Sequence, residues 1–253
     1  MPAENVFQTP VSRRGFLACA AIGAVSGLSA CASAPPPVRY DEPAPLSHFP
    51  EQPPLVLESY ASMYAPMVDG GFQIPGVPID RMDPAYLRQI VPDPTGEMPG
   101  TLVVDTSGHF LYLVMQGGQA VRYGVGLGRE GFEWSGRGEI EWKQAWPRWF
   151  PPEEMIARQP ELEKYRARQI PGTNNWEGGM PAGPSNPLGA RALYIFQNGE
   201  DTLYRLHGNP EWTSIGRSVS SGCVRLLNQD VIDLYDRVPE KTPIVVTSGV
   251  GYA

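Results

Sequence analysis

The sequence predicts a mainly β domain over residues 99–249, a sandwich or closed barrel with a short helical excursion and one C-terminal helix. Three observations support this fold class. Short β-branched and aromatic runs recur from residue 101 onward, Gly-containing turns separate several of them, and the 253 residues include 28 Gly and 28 Pro. Many short strands joined by turns are typical of sandwiches and barrels.

The predicted strands cover residues 101–105, 110–115, 120–125, 138–144, 192–197, 202–207 and 243–247. The first three form a β-meander, because Ser-Gly and Gly-Gly pairs lie between them. Residues 153–169 and 228–238 are predicted to be helical, and Asn228 is a suitable N-cap for the second helix. Between them, a loop rich in Gly, Pro and Asn at residues 171–189 is long enough to act as a lid.

Residues 1–30 resemble an export signal. Ser12-Arg13-Arg14 forms a twin-arginine signature, and the apolar run over residues 16–30 is shorter than the roughly 20 residues that a membrane-spanning helix needs. The run ends in Leu28-Ser29-Ala30-Cys31, which resembles the lipobox of bacterial lipoproteins. That resemblance implies cleavage before Cys31 and a diacylglycerol on its thiol, which anchors the chain to a membrane.

Two segments separate this signal from the β domain. Residues 31–54 are rich in proline and are predicted to form an extended linker. Residues 55–98 carry scattered apolar residues and many helix breakers, so we expect an irregular N-terminal extension with one short helix at residues 84–90.

Charge and cysteine content narrow the functional classes. A formal net charge of -7 argues against a nucleic-acid partner. The chain has 3 cysteines; if Cys19 leaves with the signal and Cys31 is acylated, only Cys223 remains and no internal disulfide can form. An unpaired thiol in an oxidising compartment points to a functional cysteine, although a buried structural cysteine is the alternative.

The chemistry is predicted to lie in His207-Gly208-Asn209 and in Ser220-Ser221-Gly222-Cys223-Val224-Arg225. Cys223 follows His207 by 16 residues. A free thiol is only slightly ionised at neutral pH, so a nearby imidazole is needed to take its proton and later return it to a leaving amine. Gly222 lets the backbone bring N–H groups towards an oxyanion. Arg225 lies on the strand face of Cys223, where it can bind a substrate carboxylate or fix the site by local hydrogen bonds.

These residues resemble the L,D-transpeptidase family (YkuD domain) and, within it, the ErfK/YbiS-like group. The pattern is a His-Gly, a loop with a glycine (Gly216 here), and then Ser-x-Gly-Cys-x-Arg. The resemblance covers about residues 99–247 and includes the segments 146–149 and 186–189. The sequence departs from the commonest form at Ser221, where many members have histidine, and at Asn209, where threonine is frequent.

The resemblance implies the family's β-sandwich and an attack by Cys223 on the carbonyl between the third and fourth residues of a peptidoglycan tetrapeptide stem. D-Ala leaves, and an amine from a second stem or from an envelope protein resolves the thioester. His207 acts as base and then as acid, Ser220 orients His207, and Gly222 with Cys223 forms the oxyanion hole. Arg225, Ser221 and Asn209 are the expected substrate-binding residues. No metal or organic cofactor is implied, and many members are inhibited by carbapenems.

Other functions remain open at this stage. Sortases place the histidine much farther upstream, and papain-like and NlpC/P60 peptidases place cysteine before histidine, so both fit less well. Within the family, an L,D-carboxypeptidase or hydrolase that trims or releases cross-links is the harder alternative, since water and an amine compete for one thioester. A non-catalytic peptidoglycan-binding lipoprotein is the alternative from another class. The expected location is the periplasmic face of the cell envelope, after twin-arginine export.

Overall fold

The computed structural model describes residues 59–128, 134–173, 175–220 and 222–247. The predicted signal (residues 1–30), the predicted linker (residues 31–54) and the first residues of the extension lie outside these ranges. In the described ranges no helix has the length and apolar character that crossing a membrane requires.

The described chain is mainly β, as predicted. Nine strands form one mixed sheet in the order β14-β12-β11-β8-β15-β4-β5-β6-β3. The strands are β1 Met67–Asp69, β2 Phe72–Ile74, β3 Gln89–Pro92, β4 Leu102–Asp105, β5 Phe110–Val114, β6 Gln119–Gly124, β7 Leu127–Gly128, β8 Gly136–Ala145, β9 Arg168–Gln169, β10 Trp176–Glu177, β11 Arg191–Gln197, β12 Glu200–Asn209, β13 Ser218–Ser220, β14 Val224–Leu227 and β15 Thr242–Val246. The helices are α1 Tyr60–Met63, α2 Glu153–Arg158 and α3 Asn228–Arg237, with 3-10 turns at Ile79–Arg81, Pro84–Tyr86, Pro160–Tyr165 and Trp212–Ser214.

The sheet curls until its edge strand β14 meets the chain just after β6, the strand next to the opposite edge strand β3. The backbones of Gly126, just after β6, and Arg225, in the edge strand β14, exchange two hydrogen bonds of 2.9 and 2.8 Å. The meander β4-β5-β6 is antiparallel, as expected, and it joins the rest of the sheet through the parallel pair β4-β15. One core of fully buried side chains, including Leu111, Leu193 and Leu206, fills the interior. Curling shields the apolar face of so wide a sheet from water.

Helix α3 closes this core, but its start differs from the prediction. Val231 and Leu234 are fully buried on its inner face, as the apolar spacing predicted. The prediction of Asn228 as N-cap was wrong, because Leu227 holds the cap position and Asn228 is already helical. The Asn228 side chain instead accepts a 2.9 Å hydrogen bond from the backbone N–H of Ala190, at the start of β11. A tertiary contact thus replaces the local cap.

The helical excursion is shorter than the predicted 153–169. Helix α2 ends at Arg158, and a 3-10 turn begins at Pro160. Proline has no N–H to continue the α-helical hydrogen bonds, which explains the break. Arg168 and Gln169 then pair with β10, inside the region predicted to be helical.

The N-terminal extension is more regular than predicted. Strands β1 and β2 form a hairpin, and β3 pairs with β6 to become the edge of the large sheet. The predicted helix at residues 84–90 was wrong: only Pro84–Tyr86 form a 3-10 turn, capped by the Asp83 carboxylate, and Ile90 lies in β3. Pairing with β6 satisfies the backbone groups that a longer helix would have satisfied.

A buried polar network attaches this extension to α3. The Tyr64 hydroxyl donates to the Asp230 carboxylate at 3.0 Å and accepts from the Arg88 backbone N–H at 2.6 Å. The Arg88 guanidinium lies 2.8 Å from the Asp233 carboxylate. Burial raises the pKa of fully buried Asp230 to about 7, against the opposing charge of Arg88. The extension is therefore part of the folded domain rather than a loose tail.

Candidate active site

The predicted histidine and cysteine lie on adjoining parallel strands. Strand β12 pairs with β14 so that Leu206 is opposite Val224 and His207 is opposite Arg225. Cys223 immediately precedes β14. The site therefore lies at the edge of the large sheet, where β14 ends the strand order.

Alternation along these strands sets which way the side chains face. Leu206 and Val224 are fully buried in the core. Since successive residues of a strand face opposite sides, His207, Cys223 and Arg225 lie on the other face of the sheet. His207 and Cys223 are diagonal neighbours there; such pairs are about 7–8 Å apart at Cα, within reach of an aromatic side chain.

The imidazole of His207 is buried and kept neutral. Its Nδ1 lies 2.7 Å from the Gly208 carbonyl oxygen. Because a carbonyl oxygen only accepts, Nδ1 carries the proton in this contact and Nε2 is left as the acceptor. Burial lowers the pKa of His207 to about 4; the Gly208 and Pro187 carbonyls raise it, and the charges of Arg225 and Arg205 lower it.

Glycine at position 208 is required by close packing. A Cβ there would lie 2.4 Å from the Asn228 side-chain oxygen, the same atom that accepts from Ala190. A larger residue would push His207 and α3 apart. The His-Gly pair therefore serves the packing of the site as well as its chemistry.

The loop predicted as a lid is anchored beside His207. The Asn186 side-chain amide donates to the carbonyl oxygens of Pro147 and Pro181, both at 3.0 Å. Its own oxygen accepts from the Leu188 N–H at 2.9 Å. Asn186 is almost fully buried, so these contacts hold Pro187, whose carbonyl acts on His207, in one place.

Cys223 is half-buried and follows a strained turn. Gly222 has a φ of 126°, which a residue with a side chain rarely adopts. Burial raises the pKa of the Cys223 thiol, whereas Arg205 and Arg225 lower it. With a neutral imidazole beside it, the thiol is protonated at pH 7 before substrate binds.

Sequence reasoning missed Arg205. It lies two residues before His207 in β12 and, like His207, faces away from the core. Its backbone N–H and its guanidinium both hydrogen-bond the sulfur of Cys223, and its charge opposes the effect of burial on the pKa of the thiol. Because side chains alternate along a strand, Arg205 lies on the same face as His207. The pairing of β12 with β14 then brings Arg205 beside Cys223.

Three other predicted site residues have defined partners in the structure. Arg225 lies 3.9 Å from the Glu211 carboxylate. Asn209 is engaged within its own loop, since Nδ2 donates to the Ser214 hydroxyl at 2.8 Å and Oδ1 accepts from the Glu211 N–H at 3.1 Å. Ser220 pairs through its backbone with Gly128.

The Ser220 side chain, Ser221 and Cys31 lie outside the part of the chain that the structure describes. In the described part, no three His, Cys, Asp or Glu side chains group as ligands for a metal ion.

The comparisons with known proteins identify the family of this domain. The model of the L,D-transpeptidase catalytic domain, YkuD, matches residues 99–246. The probable L,D-transpeptidase YbiS of Escherichia coli K12 is 34% identical over 160 residues, covering 61% of this chain and 46% of its own length. The chain thus spans about half the length of that relative.

Solved structures add a weaker likeness. A Brucella melitensis protein described as a probable carnitine operon oxidoreductase is 45% identical, covering 62% of this chain and 91% of its own, with a TM-score of 0.43. An L,D-transpeptidase from Mycobacterium smegmatis is 19% identical over 58% of each chain, with a TM-score of 0.40. These scores carry no argument about function. The family model, however, matches more than half of the 253 residues, and the chain belongs to the L,D-transpeptidase (YkuD) catalytic-domain family.

Proposed function

We propose that this chain is a peptidoglycan L,D-transpeptidase that forms 3-3 cross-links, or attaches envelope proteins to stem peptides, through a thioester on Cys223. The observation that carries the proposal is the pair His207 and Cys223 on one face of two adjoining parallel strands. Family membership supports the same reaction. A nucleophile beside a base that a third group orients is the arrangement that covalent acyl transfer requires.

In the proposed reaction, the sulfur of Cys223 attacks the carbonyl carbon between the third and fourth residues of a tetrapeptide stem. Nε2 of His207 takes the thiol proton and passes it to the nitrogen of D-Ala as the C–N bond breaks. An acceptor amine then attacks the thioester, its proton returns through His207 to the sulfur, and a new amide bond forms. The steps balance without a cofactor.

The remaining roles are assigned by position. Backbone N–H groups of Gly222 and Cys223 bind the oxyanion, because the strained turn at Gly222 precedes the nucleophile. Ser220 orients His207, and Arg225, beside His207 in the pairing, binds a carboxylate of the stem. Ser221 is a further substrate-binding residue in this proposal. Asn209 contributes by shaping the loop that carries Glu211, since its amide is already engaged there.

The product of the reaction tests the proposal. We expect purified enzyme incubated with disaccharide-tetrapeptide muropeptides to release D-Ala and to form dimers joined between two diaminopimelates. Mass analysis of the products with and without enzyme makes the measurement. Tripeptides alone would identify a hydrolase of the same fold, and no change in either product would leave a non-catalytic binding protein.

The proposed location is the periplasmic face of the cell envelope. The twin-arginine signature and the lipobox before Cys31 support export and lipid anchoring. We expect the mature protein to begin at Cys31 with a diacylglyceryl mass on its first peptide. A mature N-terminus elsewhere, or an unmodified Cys31, would remove the anchor from the proposal while leaving the reaction untouched.

A further inference from the structure

Arg205 belongs to a row of side chains that crosses the sheet to the thiol. Tyr194 in β11 is opposite both Trp142 in β8 and Arg205 in β12. The β12-β14 pairing, continued by one residue from Leu206 opposite Val224, puts Arg205 beside Cys223. Trp142, Tyr194, Arg205 and Cys223 therefore follow one another on the same face of four neighbouring strands.

Aromatic stacking orients the guanidinium in this row. The central carbon of the Arg205 guanidinium lies 4.9 Å from the centre of the Tyr194 ring. Tyr194 is itself stacked on Trp142, with ring centres 3.7 Å apart and planes inclined by 7°. Arg205 also donates to the carbonyl oxygen of Leu203. The side chain is thus held on several sides before any substrate arrives.

The charge of Arg205 is only weakly neutralised. Among the described residues, its ion-pair partner is Asp201, whose carboxylate oxygen lies 3.5 Å away, and the two side chains are 23% and 34% exposed. Such a partly exposed, long ion pair contributes little. The guanidinium therefore remains able to stabilise negative charge on the sulfur that it contacts.

This matters because the base is weak. The imidazole of His207 is neutral over the whole physiological range, and burial opposes ionisation of Cys223. Removing the thiol proton therefore needs a cation close to the sulfur. Arg205 has the largest charge effect on the pKa of Cys223, ahead of Arg225.

We propose that Arg205 is a further residue of the reaction, which positions the sulfur of Cys223 through its backbone N–H and guanidinium and stabilises the thiolate as His207 removes the proton. The inference rests on the proposed role of Cys223 as nucleophile. It adds no atom to the product, since the thiol proton still passes to His207 and the guanidinium keeps its own protons throughout.

The pH profile of alkylation by iodoacetamide tests this inference. The thiolate displaces iodide, a C–S bond forms, and the thiol proton is lost to the solvent. We expect Arg205→Met to move the midpoint of the profile upward and to slow alkylation at pH 7 about tenfold, with little change in the high-pH plateau. Trypsin cuts after Arg217 and Arg225, so mass analysis of the peptide 218–225 reports on Cys223.

Three further variants make the test specific. Arg205→Lys keeps the charge but not the fork of donors, and we expect an intermediate midpoint. Asp201→Asn removes the weak counter-charge, and we expect at most a small downward movement of the midpoint. Arg137→Met, which removes an exposed arginine paired with Glu97, is the matched control and should leave the midpoint unchanged.

The outcomes separate this inference from the proposed function. An unchanged midpoint in folded Arg205→Met, or an equal shift in Arg137→Met, would overturn the role of Arg205. If Arg205→Met does not fold, Arg205→Lys decides the matter, and a wild-type midpoint in that variant counts against the inference. Alkylation needs no peptidoglycan. If the Arg205 variants show the expected midpoint shifts but the wild-type protein makes no cross-links, only the proposed reaction is contradicted.

Discussion

Replacing Cys223 with alanine is expected to abolish cross-link formation, with a loss of at least about 10³-fold in rate. Cys223 is the only cysteine in the described part of the chain, and the thioester cannot form without a thiol. The same change should remove covalent labelling by a carbapenem, which we expect on the wild-type protein as a single adduct within the peptide 218–225. Intact-protein and peptide mass spectrometry make both measurements.

Cys31→Ala, in protein produced without the predicted signal and therefore not acylated, is the matched control for this prediction, because it removes the other remaining cysteine and leaves the proposed site intact. It should leave both the cross-linking rate and the adduct on Cys223 unchanged. Full activity in a folded Cys223→Ala protein would contradict the covalent mechanism. An adduct that persists in that variant would place the reactive nucleophile elsewhere.

His207→Asn is expected to slow thioester formation by about 10²- to 10⁴-fold, the usual contribution of a general base. Asparagine can still donate a hydrogen bond to the Gly208 carbonyl, so the packing around Asn228 is largely kept. The substitution removes Nε2, the nitrogen that accepts the thiol proton in the proposed reaction. Single-turnover acylation by a carbapenem measures the step directly, and His48→Ala is the control from the predicted linker.

The pH dependence of the acylation rate provides a second test of His207. The imidazole must be neutral to accept the proton, and its pKa is lowered to about 4 from an ordinary value of 6.5. Between pH 7 and 5, protonation of His207 should therefore not reduce the wild-type acylation rate. Below about pH 4, the rate should fall about tenfold for each pH unit. In His207→Asn this limb should disappear; an identical acid limb in both proteins would assign it to another group.

The same pKa predicts a stability effect of definite sign. An unfolded His207 takes up a proton near pH 6.5, whereas the folded one resists protonation until about pH 4. The contribution is therefore fully present above pH 6.5 and is lost, at up to about 1.4 kcal/mol for each pH unit, as the pH falls towards 4. Urea unfolding at pH 7 and pH 4.5 should show a steeper loss for wild type than for His207→Asn.

A neutral resting pair has a consequence for selectivity. A protonated Cys223 beside a neutral His207 reacts slowly with small electrophiles and oxidants, since the thiolate is the reactive form. Ionisation becomes favourable when a substrate carbonyl is placed against the oxyanion donors near Gly222 and the proton has an acceptor. The site therefore gains reactivity mainly in the presence of a bound acyl donor.

Local patterns in the sequence were sufficient for much of this protein. Runs such as residues 101–105 predicted strands, and the apolar spacing of Val231 and Leu234 predicted the buried face of α3. The motif around His207 and Cys223 predicted the family, because it combines residue types with spacing that one reaction needs. All of these patterns involve residues that are near one another in the sequence, so they can be recognised without knowledge of the fold.

Long-range contacts decided the rest. Gln89 and Ile90 lie in a strand because β6 offers backbone partners for them, and the Asn228 side chain accepts a tertiary hydrogen bond because Ala190 lies beside it. Arg205 became part of the site only when β12 and β14 were brought together in register. Strand pairing and burial join residues distant in sequence, and the free energy of these contacts outweighs local preference. The sequence alone therefore predicted the family, which the family model confirms, and the candidate pair His207 and Cys223. The tertiary structure decided the environment that sets the pKa values of the two side chains.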